Sequence, residues 1–87
     1  MGLSKEIRKV VIGDPSETDR IEVRVTVETS IRENGTIGGA LSYLFENGFS
    51  IDEASQKCID ATFQTGERDE YISMVQQLRK DGFVWRD

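Results

Sequence analysis

The segment 20–29, RIEVRVTVET, gives the clearest periodic pattern in the chain. Its apolar residues are Ile21, Val23, Val25 and Val27, and the residues between them are Glu22, Arg24, Thr26 and Glu28. A period of two places alternate side chains on opposite faces of a β-strand. We therefore predict a strand with one buried face and one solvated face.

A second strand is predicted upstream of this one. Ile7, Val10, Val11 and Ile12 are β-branched and precede the turn-forming cluster Gly13-Asp14-Pro15-Ser16. β-branched residues favour strands, and Gly, Pro, Asp and Ser favour the turns between them. The simplest assembly is an antiparallel hairpin in which residues 5–12 pair with residues 20–30.

From Thr36 the spacing of the apolar residues changes to three and four. Ile37, Ala40, Leu41, Leu44 and Phe45 follow this spacing, which predicts a helix over about 36–47 that ends at Asn47-Gly48. A third strand is the alternative, because alternate residues from Ile37 to Phe45 are also mostly apolar. Asn34-Gly35 just before them is also a strong hairpin signal.

The sequence Ser50-Ile-Asp-Glu53 has the form of a helix capping box. It predicts a second helix over about 51–64, with Ile51, Ala54, Cys58 and Ala61 on its buried face. In that position Cys58 is a small core residue and not a nucleophile.

A third helix is predicted over 67–81. Acidic residues at its start and Arg79 and Lys80 at its end complement the helix dipole, and Gly82 terminates it. Residues 83–85 then form a short strand or an apolar latch. We expect Trp85 to be held in the core, and the alternative is its presentation to a partner. The predicted fold is α+β: one domain, 1–87, with an N-terminal antiparallel hairpin and three short helices, followed by that short strand or latch.

Composition excludes several classes of chemistry. The 87 residues include no His and only one Cys, so His-based catalysis and intramolecular disulfides are impossible. A single thiol favours a reducing, cytoplasmic location, and no apolar run approaches the ~20 residues of a membrane span. No glycine-rich phosphate-binding motif occurs. We expect no catalytic, metal or cofactor site, and so no enzyme.

The charge balance opposes direct binding to nucleic acid. There are 16 acidic and 11 basic residues, a net charge of -5. Residues 40–59 suggest a helix-turn-helix, but its second helix would open with Asp52 and Glu53, which DNA phosphates would repel. We expect a protein partner.

The acidic residues themselves suggest a binding surface. Those on the first loop and around the predicted second helix could face a basic groove as a phosphate mimic does; they are Asp14, Glu17, Asp19, Glu46, Asp52, Glu53 and Asp60. The function expected is a non-enzymatic regulatory module, an acidic inhibitor of a nucleic-acid-handling protein of the sort that bacteriophages encode. The alternative function is a small structural or oligomerising subunit of a larger assembly. The alternative role of the acidic residues is only to keep exposed faces solvated.

Overall fold

A computed structural model describes residues 3–12, 20–29 and 36–86. The described elements, in chain order, are β1 (Leu3–Ile12), β2 (Ile21–Thr29), α1 (Thr36–Glu46), β3 (Ser50–Ala54), β4 (Cys58–Thr65), α2 (Arg68–Lys80) and β5 (Val84–Trp85). The strands form one mixed sheet in the order β3-β4-β2-β1-β5, which makes the fold α+β. Neither helix is long and apolar enough to cross a membrane.

The N-terminal hairpin is confirmed. β1 pairs with β2 antiparallel, from Leu3 opposite Thr29 to Ile12 opposite Ile21, with a β-bulge at Arg8. On its other edge β2 pairs with β4, also antiparallel. The apolar residues of β2 are buried, as the alternation predicts.

Each of the two helices is terminated by a glycine just beyond its C-terminus. Gly48 and Gly82 have φ of 88° and 98°, the left-handed conformation that favours glycine at a helix C-terminus. The residue after each glycine donates its amide hydrogen back to the helix, from Phe49 to the Leu44 carbonyl and from Phe83 to the Leu78 carbonyl. The helices predicted over 36–47 and 67–81 are confirmed, and the alternative third strand at 36–47 is wrong.

The helix predicted over 51–64 is wrong, so the chain has two described helices where three were expected. Residues 50–65 form the antiparallel hairpin β3–β4 instead. Its turn is held by the Ser55 hydroxyl, which accepts hydrogen bonds from the amides of Lys57 and Cys58. The segment forms strands because the edge of β2 that does not face β1 has backbone groups that need hydrogen-bond partners. β4 supplies them by pairing with β2 over eight residues. Cys58 therefore lies at the start of β4, half buried.

The connections place both helices on one face of the sheet. β2 and β3 are each antiparallel to β4, so α1 joins two parallel strands, and by the same reasoning α2 joins the parallel strands β4 and β5. Right-handed crossovers in both units bring the helices to the same side. From β2 onward this is the split β-α-β arrangement, with β1 inserted between β2 and β5.

The two helices contact each other through polar and aromatic side chains. The Tyr43 hydroxyl donates to the Asp81 carboxylate, and the amide of Gln77 donates to the Asn47 side-chain oxygen at 2.8 Å. Burial and the Asp81 hydrogen bond raise the pKa of Tyr43 to about 12, so its hydroxyl stays protonated as a donor. Beneath them lies the apolar core, which comprises Ile7, Val23, Val25, Val27, Ile37, Leu44, Phe49, Ile59, Ala61, Leu78 and Phe83.

The C-terminal segment forms the expected short strand, but a different aromatic residue is buried. Phe83 is 2% exposed and stacks with Tyr43, whereas Trp85 is 44% exposed. β5 pairs only with Glu6 and Ile7 of β1, on the outer edge of the sheet. The expectation that Trp85 is held in the core is therefore wrong, because Phe83 occupies the inner position directly after the α2 turn.

The register of β2 predicts opposite effects for neighbouring residues. Val25 is 1% exposed in the core, so Val25→Asp should cost more than about 4 kcal/mol by burying an unpaired charge. The exposed Arg24 should tolerate Gln with a loss below about 1 kcal/mol, although its surface ion pair with Glu22 is removed. Thermal unfolding by circular dichroism measures both. Equal losses would contradict this register.

The β3–β4 hairpin makes a prediction about Ser50. Its side chain is exposed on a strand and caps no helix, so Ser50→Ala should change the free energy of unfolding by less than about 0.5 kcal/mol. Denaturant unfolding would detect the loss of about 1 kcal/mol that removal of an N-cap causes. Such a loss would mean that a helix begins at this residue.

Candidate interaction face of the sheet

The face of the sheet turned away from both helices is polar; we call it the open face. It consists of side chains that alternate with the core residues on β1, β2, β3 and β4, together with the bulges of β1 and β3. They line a shallow trough of ≈ 850 Å³ and include Arg8, Lys9, Glu22, Arg24, Thr26, Glu28, Ser50, Asp52, Cys58, Asp60, Thr62 and Gln64.

Hydrogen bonds between neighbouring strands restrain three carboxylates of the open face. The Thr26 hydroxyl donates to Asp60 at 2.6 Å, the Thr62 hydroxyl to Asp52 at 2.5 Å, and the Gln64 amide to Glu22 at 2.8 Å. Thr26 is buried despite its place on the polar face, because the side chains around it cover it. These carboxylates are therefore held by the sheet and not only by their own rotamer preferences.

Apart from Glu6 and Glu22, which form ion pairs with Arg86 and Arg24, the acidic and basic side chains occupy adjoining parts of the open face. The acidic half comprises Glu28, Asp52, Glu53 and Asp60, on β2, β3 and β4. The basic half comprises Arg8, Lys9 and Arg24, on β1 and β2. Lys9 lies directly opposite Arg24, an unfavourable pairing of like charges that the Glu22–Arg24 ion pair at 3.0 Å partly offsets.

Carboxylates of the acidic half raise the pKa of the Cys58 thiol. Its pKa is raised by burial first, and then by the charges of Asp60, Glu28 and Glu53, whereas Arg8 opposes the shift. Carboxylates from three different strands therefore act on one atom. Because the thiolate is the reactive form, this environment makes Cys58 a poor nucleophile near neutral pH.

The structure brings together only part of the predicted acidic set. Asp52, Glu53 and Asp60 share the open face, on strands and not around a helix as expected. Glu46 is the last residue of α1, in the helix layer on the other side of the sheet. The remaining members, Asp14, Glu17 and Asp19, lie outside the described residues.

Sequence reasoning missed Glu28 as a member of this set. The alternation of β2 does place Glu28 on the polar face, but its neighbours there follow from the pairing with β4. In that pairing Glu28 lies opposite Cys58, and Thr26 lies opposite Asp60. The same applies to the basic half, because Lys9 meets Arg24 only after the bulge in β1 shifts the register.

Comparisons of the chain with protein-family models, with curated proteins and with solved structures find no match. In the described ranges no group of three or more His, Cys, Asp or Glu side chains is arranged to hold a metal ion. Function is therefore inferred from the open face itself.

Cys58 provides a direct test of the acidic half. Asp60→Asn and Glu28→Gln each remove a charge that raises the thiol pKa, so the pH profile of iodoacetamide alkylation should move to lower pH in both variants. Asn keeps an oxygen that can accept from Thr26. Glu46→Gln is the control and should leave the profile unchanged. Identical profiles in all of these proteins would show that the carboxylates do not converge on Cys58.

Proposed function

We propose that this chain is a non-enzymatic protein-binding module whose acidic half engages a basic surface on its partner. The partner class that fits best is a protein that handles nucleic acid, because such proteins expose grooves lined with Lys and Arg. By occupying that groove the module acts as an inhibitor or regulator, in the manner of the small acidic proteins of bacteriophages. The observation that carries the proposal is the convergence of four carboxylates from β2, β3 and β4 on one solvated face.

A sheet is a suitable support for a phosphate mimic. Neighbouring strands lie about 4.8 Å apart, and residues on the same face of a strand lie about 6.8 Å apart. Carboxylates on such a grid form a two-dimensional array of separate negative charges. A partner with several Lys and Arg side chains can meet these charges one by one, which accelerates association as well as strengthening it.

Rigidity of the carboxylates supports the same function. Ordering a mobile side chain on binding costs about 0.5–1.5 kcal/mol. The hydroxyls of Thr26 and Thr62 already restrain Asp60 and Asp52, so less of this cost remains when a partner binds. These bonds leave the face solvated, since Asp52 is exposed and Asp60 is half buried.

The basic half gives the interaction a direction. A groove that is positively charged throughout is attracted by Asp52 and Glu53 and repelled by Arg8 and Lys9. The partner is therefore expected to sit over β3 and β4 and to avoid β1. Repulsion from one end of a surface is a common source of specificity.

Binding through a strand edge is disfavoured at both sides of the sheet. β3, at one side, has a bulge between Ile51 and Glu53 and carries exposed acidic side chains. At the other side, β5 pairs only with Glu6 and Ile7, and the rest of β1 carries the Arg8 bulge followed by Lys9. Bulges and charges on edge strands oppose the addition of another strand. The face is the better candidate.

A second candidate function is an oligomerising subunit, and the exposure of Phe45 favours it. Phe45 lies on α1 and is 72% exposed, unusual for a large aromatic side chain. Light scattering after gel filtration separates the two candidates. A regulatory module should have the 9.8 kDa mass of one chain, and an oligomerising subunit a multiple of it.

Charge reversal tests the proposal directly. Asp52→Lys with Glu53→Lys should weaken binding to a partner captured from the source cells by at least about tenfold, measured by calorimetry. The matched control, Glu46→Lys with Asp69→Lys, changes the net charge equally in the helix layer and should retain binding. Wild-type affinity should also fall on the order of tenfold between low and high salt. Equal losses in both variants, or indifference to salt, would contradict the proposal.

A further inference from the structure

The helix layer does not extend evenly over the sheet. α1 packs mainly on β2, β3 and β4, and α2 packs mainly on β2 and β4. At the far end of the sheet, formed by β1 and β5, Ile7 and Phe83 belong to the buried core, whereas Trp85, which lies opposite Ile7, is partly exposed. An apolar surface remains next to α2 at that end.

Four apolar side chains form this surface, which we call the α2–β5 patch. Trp85 is 44% and Ile72 is 42% exposed, and Val10 and Val75 are half buried at the margin of the core. Ile72 and Val75 lie about 140° and 160° around α2 from Gln77, which contacts α1. They therefore point away from α1, towards the end of the sheet that contains β5.

Helix and strand geometry bring Trp85 level with these residues. α2 and β5 run in opposite directions from the turn at Gly82, where Phe83 is hydrogen-bonded to Leu78. Val75 and Ile72 are about 4.5 and 9 Å back along the helix from Leu78. Trp85 is about 6.7 Å along the strand from Phe83. With ideal geometry the backbone of Trp85 is therefore level with the part of α2 between Val75 and Ile72.

Positive charges flank the patch along α2. Arg68, Ile72, Val75 and Arg79 follow the spacing of four, three and four that forms one stripe on a helix. Both arginines are exposed, and neither forms an ion pair with another described residue. The chain has a net charge of -5, so an apolar surface flanked by cations differs from the rest of the protein. These cations favour a partner that carries acidic residues beside its apolar surface.

We propose that the α2–β5 patch binds one amphipathic helix of a partner protein, lying alongside α2 as a third helix on the sheet. Its apolar stripe contacts Trp85 and Ile72, and acidic residues near its two ends meet Arg68 and Arg79. Helices bind in this way through residues spaced three and four apart, and Trp is often the main contact of such an interface. The site is independent of the acidic half of the open face.

Charge and backbone geometry argue against two other occupants. In a second copy packed through antiparallel α2 helices, Arg68 of one chain would face Arg79 of the other, which is repulsive. An added strand would have to pair along β1, where the Arg8 bulge and Lys9 oppose it. A helix that carries acidic residues avoids both problems.

The first experiment is selection from a displayed library of random 16-residue peptides. Wild-type protein should enrich peptides with apolar residues three and four apart and with Asp or Glu at the flanks. Ile72→Asp and Trp85→Asp, each checked for folding by circular dichroism, should not enrich them. Absence of enrichment, an alternating strand-like pattern, basic flanks, or enrichment that persists in both variants would overturn the proposal.

A charge swap then tests the arginines with one selected peptide. Trp85 is the only tryptophan, so its emission should shift to shorter wavelength as the peptide binds. Arg68→Glu with Arg79→Glu should weaken binding at least about tenfold, and replacing the acidic residues of the peptide with Lys should restore it. Asp52→Lys with Glu53→Lys should leave this binding unchanged even where it abolishes binding at the open face. An unshifted emission, or equal affinity of both peptides for both proteins, would overturn the proposal.

Discussion

The pairing of β2 along both of its edges is the constraint on which the rest of the structure depends. Its register with β1 and β4 places Val23, Val25 and Val27 under the helices and Thr26 and Glu28 on the open face. A slip of one residue would exchange the two faces, burying charges and exposing the core. The same pairing that stabilises the fold therefore also assembles the acidic half.

The order of the elements explains why charge is divided across the sheet. β1 and β2 form one hairpin and β3 and β4 form another, and α1 separates them in sequence. The first hairpin supplies the cations Arg8, Lys9 and Arg24 and the carboxylate of Glu28, and the second supplies Asp52, Glu53 and Asp60. Because β4 inserts beside β2, the two hairpins become neighbours, and their charges meet on a single face.

A domain of this size can carry binding surfaces more readily than a deep cleft. With 87 residues its free energy of unfolding is expected to be on the order of 5–10 kcal/mol, and a cleft would remove part of the core that supplies it. The open face and the α2–β5 patch use opposite sides of the sheet. Two partners, or two parts of one partner, can therefore be bound without competing for residues.

Much of the fold could be predicted from local patterns. The alternation in β2 and the glycines that end α1 and α2 are signals that do not depend on distant residues. The segment 50–65 is predicted wrongly as a helix, because Ser50 and Glu53 imitate a capping box and Ile51, Ala54, Cys58 and Ala61 have helical spacing. Pairing with β2 decided it in favour of strands, a tertiary effect that overrides local preference.

The candidate site could be predicted only in part for the same reason. Asp52, Glu53 and Asp60 were identified as acidic and exposed, but their convergence with Glu28 depends on the register of β4 against β2. Which aromatic side chain near the C-terminus is buried also depends on tertiary structure. Phe83 and Trp85 lie on the same side of the last strand, and only the position of the α2 turn makes Phe83 the inner residue.

Chemical-shift mapping with a basic probe tests the central claim most directly. An arginine-rich peptide titrated into isotopically labelled protein should perturb, among the described residues, mainly the amides of Glu28, Ser50 to Glu53 and Cys58 to Thr62. Glu46, Asp69 and Glu70 carry the same charge in the helix layer and should shift little. If their amides shift as much as those of β3 and β4, the acidic half is not a binding surface but one part of a uniformly acidic exterior.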